Sequence, residues 1–129
     1  MLRRATCQSH GSLVDFYSAL AAAPDSVSAT VGTGMLELLP LLAKVLGSRP
    51  VWGLTSLSAL WLLPSDDSTA VWAVGIQAVP SEGYRIQYLL PSVSAPWPNA
   101  CVQGLAPDAV TAVTFVEIAI RESKAWDVQ

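Results

Sequence analysis

The residues whose types could do chemistry are few in this chain, and they are scattered. Cys7-Gln8-Ser9-His10 has the two-residue spacing of half a zinc site, but a structural zinc site takes four ligands. The 129 residues hold one histidine and two cysteines, Cys7 and Cys101. Asp66 and Asp67 are paired in sequence; adjacent residues in a turn usually point apart, and no neighbouring charge would separate their pKa values as an acid–base dyad requires. Ser56 lies in Gly53-Leu54-Thr55-Ser56-Leu57, which is not a nucleophile elbow, so a Ser/His or Cys/His catalyst would depend on His10 in the N-terminal stretch. Gly32-Thr33-Gly34 supplies two glycines of a dinucleotide fingerprint, yet Glu37 stands where the third belongs and no βαβ unit surrounds it. No catalytic residue, metal ligand or cofactor is assigned, and the reading leans away from an enzyme.

Two aromatic groups remain. Trp72, Tyr84 and Tyr88 fall on even positions of an alternating stretch; such a face is core in most proteins and a ligand groove in some. Trp97 stands between Pro96 and Pro98. Proline on each side restricts the backbone, so a tryptophan held there loses little entropy on docking; the competing reading folds it back as a lid over the sheet end.

The elements that position these residues follow from periodicity. Residues 1–11 show none and are expected as a mobile lead-in, with residues 12–129 forming one domain. Ser12 and Asp15 form a capping pair before a helix over 13–23 that stops at Pro24. Residues 24–34 read as a connection. Met35, Leu38, Leu39, Leu42, Val45 and Leu46 recur at helical spacing up to Gly47; Pro40 requires either a later start or a kink. Residues 51–63 suit one or two strands, and Ser65-Asp66-Asp67-Ser68 a turn.

The stretches 70–79 and 84–90 predict a hairpin. A three-residue loop Ser81-Glu82-Gly83 pairs Pro80 with Tyr84, hence Ala78 with Ile86, Ile76 with Tyr88 and Val74 with Leu90. Trp72, Val74, Ile76, Tyr84, Ile86 and Tyr88 then share one face, and Gln77, Arg85 and Gln87 lie on the other. A short strand over 100–105 follows, then a helix over 107–126 with Pro107 at its first position. Its buried stripe is Ala109, Ala112, Val113, Val116, Ala119, Ile120 and Trp126, and Glu117 with Arg121 makes an i,i+4 pair. The predicted fold is α+β: an antiparallel meander of about four strands with two N-terminal helices and one C-terminal helix packed on it.

Composition narrows the function classes. Hydrophobic residues make up 52%, charged residues 13%, and the net charge is -3. That balance lacks the clustered Lys and Arg of a nucleic-acid surface and would be repelled by anionic lipid. No apolar run suits a signal peptide or an uninterrupted membrane span, so a cytoplasmic protein is the default. Five tryptophans in a small, mildly acidic chain point to a non-enzymatic interaction module, immunity-like or chaperone-like, that docks on another protein or on itself as a homodimer through the sheet's second face or an edge. Its expected contact residues are Pro96, Trp97, Pro98, Gln77, Arg85 and Gln87. The alternative is a small-molecule-binding domain whose pocket, between sheet and helices, is lined by Trp72, Tyr84 and Tyr88.

Overall fold

In the computed structural model, which describes residues 1–8, 11–67, 69 and 71–127, the Ser12 hydroxyl accepts the Asp15 N–H and the Asp15 carboxylate accepts the Ser12 N–H, both at 3.0 Å. This reciprocal cap starts helix α1, Leu13–Ala21. Helix α2 begins earlier than its periodicity predicts. It spans Ser26–Leu46, capped by Asp25, whose carboxylate accepts the Ser28 N–H at 2.9 Å. The stretch expected as a connection is therefore largely helical. Its Thr30 and Thr33 hydroxyls donate to the carbonyls of Ser26 and Ala29 one turn back, and burial of Val31 and Gly32 outweighs weak local propensity. Pro40 sits in the helix interior with its ring exposed. By length and composition α2 could cross a membrane; here Met35, Leu38, Leu39 and Leu42 are buried in the core.

Six strands lie side by side in chain order: β1 Leu2–Arg4, β2 Val51–Ser56, β3 Ala59–Leu63, β4 Val74–Val79, β5 Gly83–Leu89 and β6 Cys101–Ala106. The fold is α+β, but the sheet is mixed and larger than the meander of about four strands expected. β1 runs parallel to β2, and the other pairs are antiparallel. The stretch read as a lead-in thus contributes a strand, too short to display a period of two. Beyond it the Ala5 N–H donates to the Gly53 carbonyl at 2.8 Å. The Gln8 side chain then extends the ladder as a surrogate strand residue: its Oε1 accepts the Thr55 N–H at 2.8 Å and its Nε2 donates to the Thr55 carbonyl at 2.7 Å.

The β4–β5 register differs by two residues from the one expected. Ala78 pairs with Tyr84, Ile76 with Ile86 and Val74 with Tyr88, because the loop is Pro80-Ser81-Glu82 and Gly83 already belongs to β5. A shift of two preserves the faces. Gly83, at φ 110°, could carry no side chain: a Cβ there would lie 2.0 Å from the Ala106 carbonyl oxygen.

Helix α3 spans Ala109–Ser123, capped by Asp108 accepting the Thr111 N–H at 2.8 Å; Pro107 precedes the cap instead of opening the helix. The expected stripe from Ala109 to Ile120 is buried. Trp126 lies past the helix end, its indole N–H donating to the Pro50 carbonyl at 2.9 Å. Arg121 faces Glu122 at 3.7 Å in an exposed ion pair, which contributes little.

Helix placement also departs from three helices resting on the sheet. α3 covers β5 and β6, α2 lies between α1 and α3, and α1 packs chiefly on α2. The core between helices and sheet holds Val51, Leu60, Leu62, Val74, Ile76, Tyr84 and Ile86 with Tyr17, Met35, Leu38, Leu42 and Val116.

Two expectations follow. The β2–β3 hairpin turns on Leu57 and Ser58, both at positive φ (51° and 71°), where Asn-Gly is favoured and other L-residues are strained; Leu57 is 95% exposed and gains nothing by packing. Replacing the pair by Leu57→Asn and Ser58→Gly should raise unfolding stability by about 1–2 kcal/mol, read by urea titration. Second, backbone N–H donation from Ser12, Ser28 and Thr111 holds Asp15, Asp25 and Asp108 below the ordinary carboxylate value of 3.8. Lowered folded values mean that this stabilisation is present above 3.8 and lost as pH falls through them. The melting temperature of Asp25→Asn/Asp108→Asn should therefore fall less steeply than the wild type's below about pH 4, since asparagine caps without titrating.

Candidate functional site

Strand alternation that sends one set of side chains to the helices sends the other to a face that, among the described residues, no helix covers. Across that face Leu54, Trp61, Gly75, Gln87 and Gln103 form one row. Arg3, Trp52 and Leu63 begin the next row, and Leu89 and Cys101 end it. A third holds Gln77, Arg85 and Leu105.

The middle row explains how an indole is seated. A Cβ on Gly75 would lie 2.4 Å from Cζ3 and 2.7 Å from Cε3 of Trp61, so the ring occupies the space a side chain on β4 would need. Trp72 packs on it, centroids 4.6 Å apart with planes at 53°. Trp52, Trp61 and Trp72 are each half-buried. Leu63, the register partner of Trp52, is 1% exposed although no helix lies here.

The β5–β6 side of the face is polar. Arg85 Nη1 faces Gln77 Oε1, and Gln103 Nε2 faces Gln87 Oε1, each at 3.4 Å; such long, exposed contacts are weak and readily exchanged. The charged side chains in these rows are Arg3 and Arg85, with no carboxylate among them, while the chain as a whole carries -3. The face is therefore aromatic on one half, amide-rich on the other, and locally positive.

Gln77, Arg85 and Gln87 are thus brought together. Pro96, Trp97 and Pro98 lie apart, in the loop between β5 and β6. Trp97 is 66% exposed, so it is not folded back over the sheet end. It borders a groove of about 410 Å³ with Leu89, Leu90 and Ala95, and Leu89 belongs to the outer face as well.

Trp72, Tyr84 and Tyr88 are not brought together. Tyr84 and Tyr88 point toward the helices, whereas Trp72 precedes β4 and stacks on the outer face, because the alternation that begins at Val74 does not extend back to residue 72. The Tyr84 hydroxyl donates to the Gly34 carbonyl at 2.7 Å. Burial, then the charges of Glu37 and Asp108, push its pKa up. It lines a surface hollow of about 260 Å³, and Tyr88 a separate one of about 220 Å³ beside Phe115.

The remaining candidates take structural places. Asp66 accepts the Thr6 N–H and hydroxyl at 3.0 and 2.7 Å, while Asp67 accepts those of Thr69 at 2.9 and 2.7 Å, so the two carboxylates serve different turns. Gly32 and Gly34 lie inside α2. Cys7 and Cys101 are free and exposed. His10 lies outside the described residues, and among the described residues no group of three His, Cys, Asp or Glu is placed to hold a metal ion.

Trp52, Leu54 and Trp61 were missed in the sequence. The signal was the alternation of Trp52 and Leu54 with Trp61 and Leu63, hidden because Leu57-Ser58 does not read as a hairpin turn. Gly75→Val should dislodge Trp61, destabilise the fold by about 1–3 kcal/mol and abolish the Trp61–Trp72 exciton couplet in circular dichroism. An unchanged couplet would refute the seating described.

Comparison with protein-family models, with curated proteins and with solved structures finds no match to this chain.

Proposed function

We propose that the chain is a small non-enzymatic interaction module, of the immunity-like or chaperone-like kind, that docks on another protein through the tryptophan-bearing face of its sheet. One observation carries the reading: Trp52, Trp61 and Trp72 stand only half-buried on a sheet face without helical cover among the described residues. Antiparallel sheets commonly leave one face to solvent, but that face is then polar. Tryptophan is the residue type most enriched among interface anchors, and the amides of Gln77, Gln87 and Gln103 give the face a polar margin on its β5–β6 side.

The chemistry of the face supports one kind of partner. Arg3 and Arg85, without a carboxylate in these rows, favour a flat apolar surface rimmed by acidic groups. Trp97 extends the contact past the strand ends through Leu89.

The test is quantitative affinity capture from the native host extract, with Trp61→Ala and Trp97→Ala compared against the wild type. A partner recovered in near-equal amount by the wild type should fall at least about tenfold with Trp61→Ala, and less with Trp97→Ala. Equal recovery by all three chains, each with native circular dichroism, would remove the reading.

A further inference from the structure

The two edges of the sheet are built differently. β1 offers three residues, two of them Arg3 and Arg4, and charge on a short strand is a common guard against edge pairing. β6 offers six, Cys101-Val102-Gln103-Gly104-Leu105-Ala106, with neither a charge nor a proline. Most of its side chains are exposed, and α3 sits over β5 more than over this edge.

The ladder fixes which backbone groups the edge presents. The Leu90 N–H donates to the Ala100 carbonyl at 2.9 Å, and the Leu89 N–H turns the other way, to Ala73. In an antiparallel pair such orientation alternates. With Leu89 opposite Cys101, Tyr88 opposite Val102 and Gln87 opposite Gln103, residues 102, 104 and 106 direct their amides into the sheet. Cys101, Gln103 and Leu105 direct theirs outward.

We propose that β6 pairs antiparallel with β6 of a second copy of this chain, about a two-fold axis at Gln103, to form one continuous sheet. The register follows from the outward set. Pairing Gln103 with Gln103 also sets Cys101 opposite Leu105 at both ends, so every outward residue enters a hydrogen-bonded pair and about six backbone bonds form. Any other antiparallel register leaves outward groups unpaired.

The side chains agree with it. On the helix side Val102 of one copy meets Gly104 of the other in a close, non-hydrogen-bonded pair. Phe115 lies over Gly104, its ring 3.3 Å from where a Cβ would stand, so residue 104 puts no side chain between that ring and the incoming valine. The hollow of about 220 Å³ lined by Val102, Gly104, Phe115 and Ile118 receives the incoming valine. On the outer face the two Gln103 amides lie side by side and Cys101 packs on Leu105. An uncharged strand pairs with itself without like-charge repulsion, as an isologous interface requires. This inference does not rest on the docking reading, which is carried by Trp52, Trp61 and Trp72 and shares with the β6 edge only the amide of Gln103.

Light scattering tests it at micromolar concentration. The wild type should run at twice the 13.6 kDa chain mass. Gln103→Lys, which sets two ammonium groups against each other on an exposed site, should run as a folded monomer, while Trp61→Ala stays dimeric. In a Cys7→Ser/Cys101→Ser background, Gln103→Cys should form an interchain disulfide, since its pair separation of about 5.5 Å suits one, and Gln77→Cys should not. A monomeric wild type overturns the proposal, including the case in which the edge takes a strand from a different protein. So does a dimer indifferent to Gln103→Lys, or crosslinking no faster at 103 than at 77.

Discussion

A Cβ on Gly32 would lie 2.3 Å from the Ala21 nitrogen and 2.8 Å from its Cα, so α1 and α2 meet backbone to backbone because residue 32 has no side chain. Much of the molecule depends on that approach. Seated there, α1 sets Leu13 against Gly53 and brings Tyr17, fully buried, to donate its hydroxyl to the Ser58 carbonyl at 2.9 Å. Ser58 is half of the left-handed turn joining β2 to β3. A turn lacking the usual Asn-Gly is thus held by a helix, and its two-residue length sets Trp52 against Leu63 and Leu54 against Trp61. The contact that packs the interior also determines which aromatics reach the opposite face.

The two sides of the sheet are solved in different ways. On the inner side the helices supply the apolar partner, and two tyrosine hydroxyls taken inside are matched: Tyr84 with the Gly34 carbonyl, Tyr17 with that of Ser58. The N-terminal segment is held by polar pairing instead. Arg4 donates to the Gly11 carbonyl and to Thr55 Oγ1, both at 3.1 Å, with its guanidinium 5.3 Å from the centre of the Phe16 ring, and Gln8 completes the β2 ladder. Among the described residues no helix covers the outer side. Trp61 and Trp72 cover each other in part and leave indole surface facing out; burying such rings is worth more per residue than any other apolar contact the face offers.

Much of the architecture was legible. The Ser12–Asp15 cap, the buried stripe of α3 and the sorting of Val74, Ile76, Tyr84 and Ile86 from Gln77, Arg85 and Gln87 are local patterns, and they hold because a period of two or 3.6 needs no long-range information. The β4–β5 register slipped by two without changing faces for the same reason. The start of α2, the strand at Leu2–Arg4 and the Leu57-Ser58 turn were not legible. Each is locally unfavourable or too short to have a pattern, and each is stabilised by residues distant in sequence: Ala21 on Gly32, Gly53 on Ala5, Tyr17 on Ser58.

The sequence by itself therefore determined the class of fold, the helix caps, the inward face of the central strands and the placement of Gln77, Arg85 and Gln87 on the other side. Tertiary structure alone decided that Trp72 leaves the tyrosines and joins Trp61, that Gly75 is bare because an indole lies on it, and that Trp97 stands exposed. The reason is physical. Alternation says which way a side chain points within a strand, whereas what it meets depends on where strands begin and on register between them. Both are set by contacts that close only when distant segments come together.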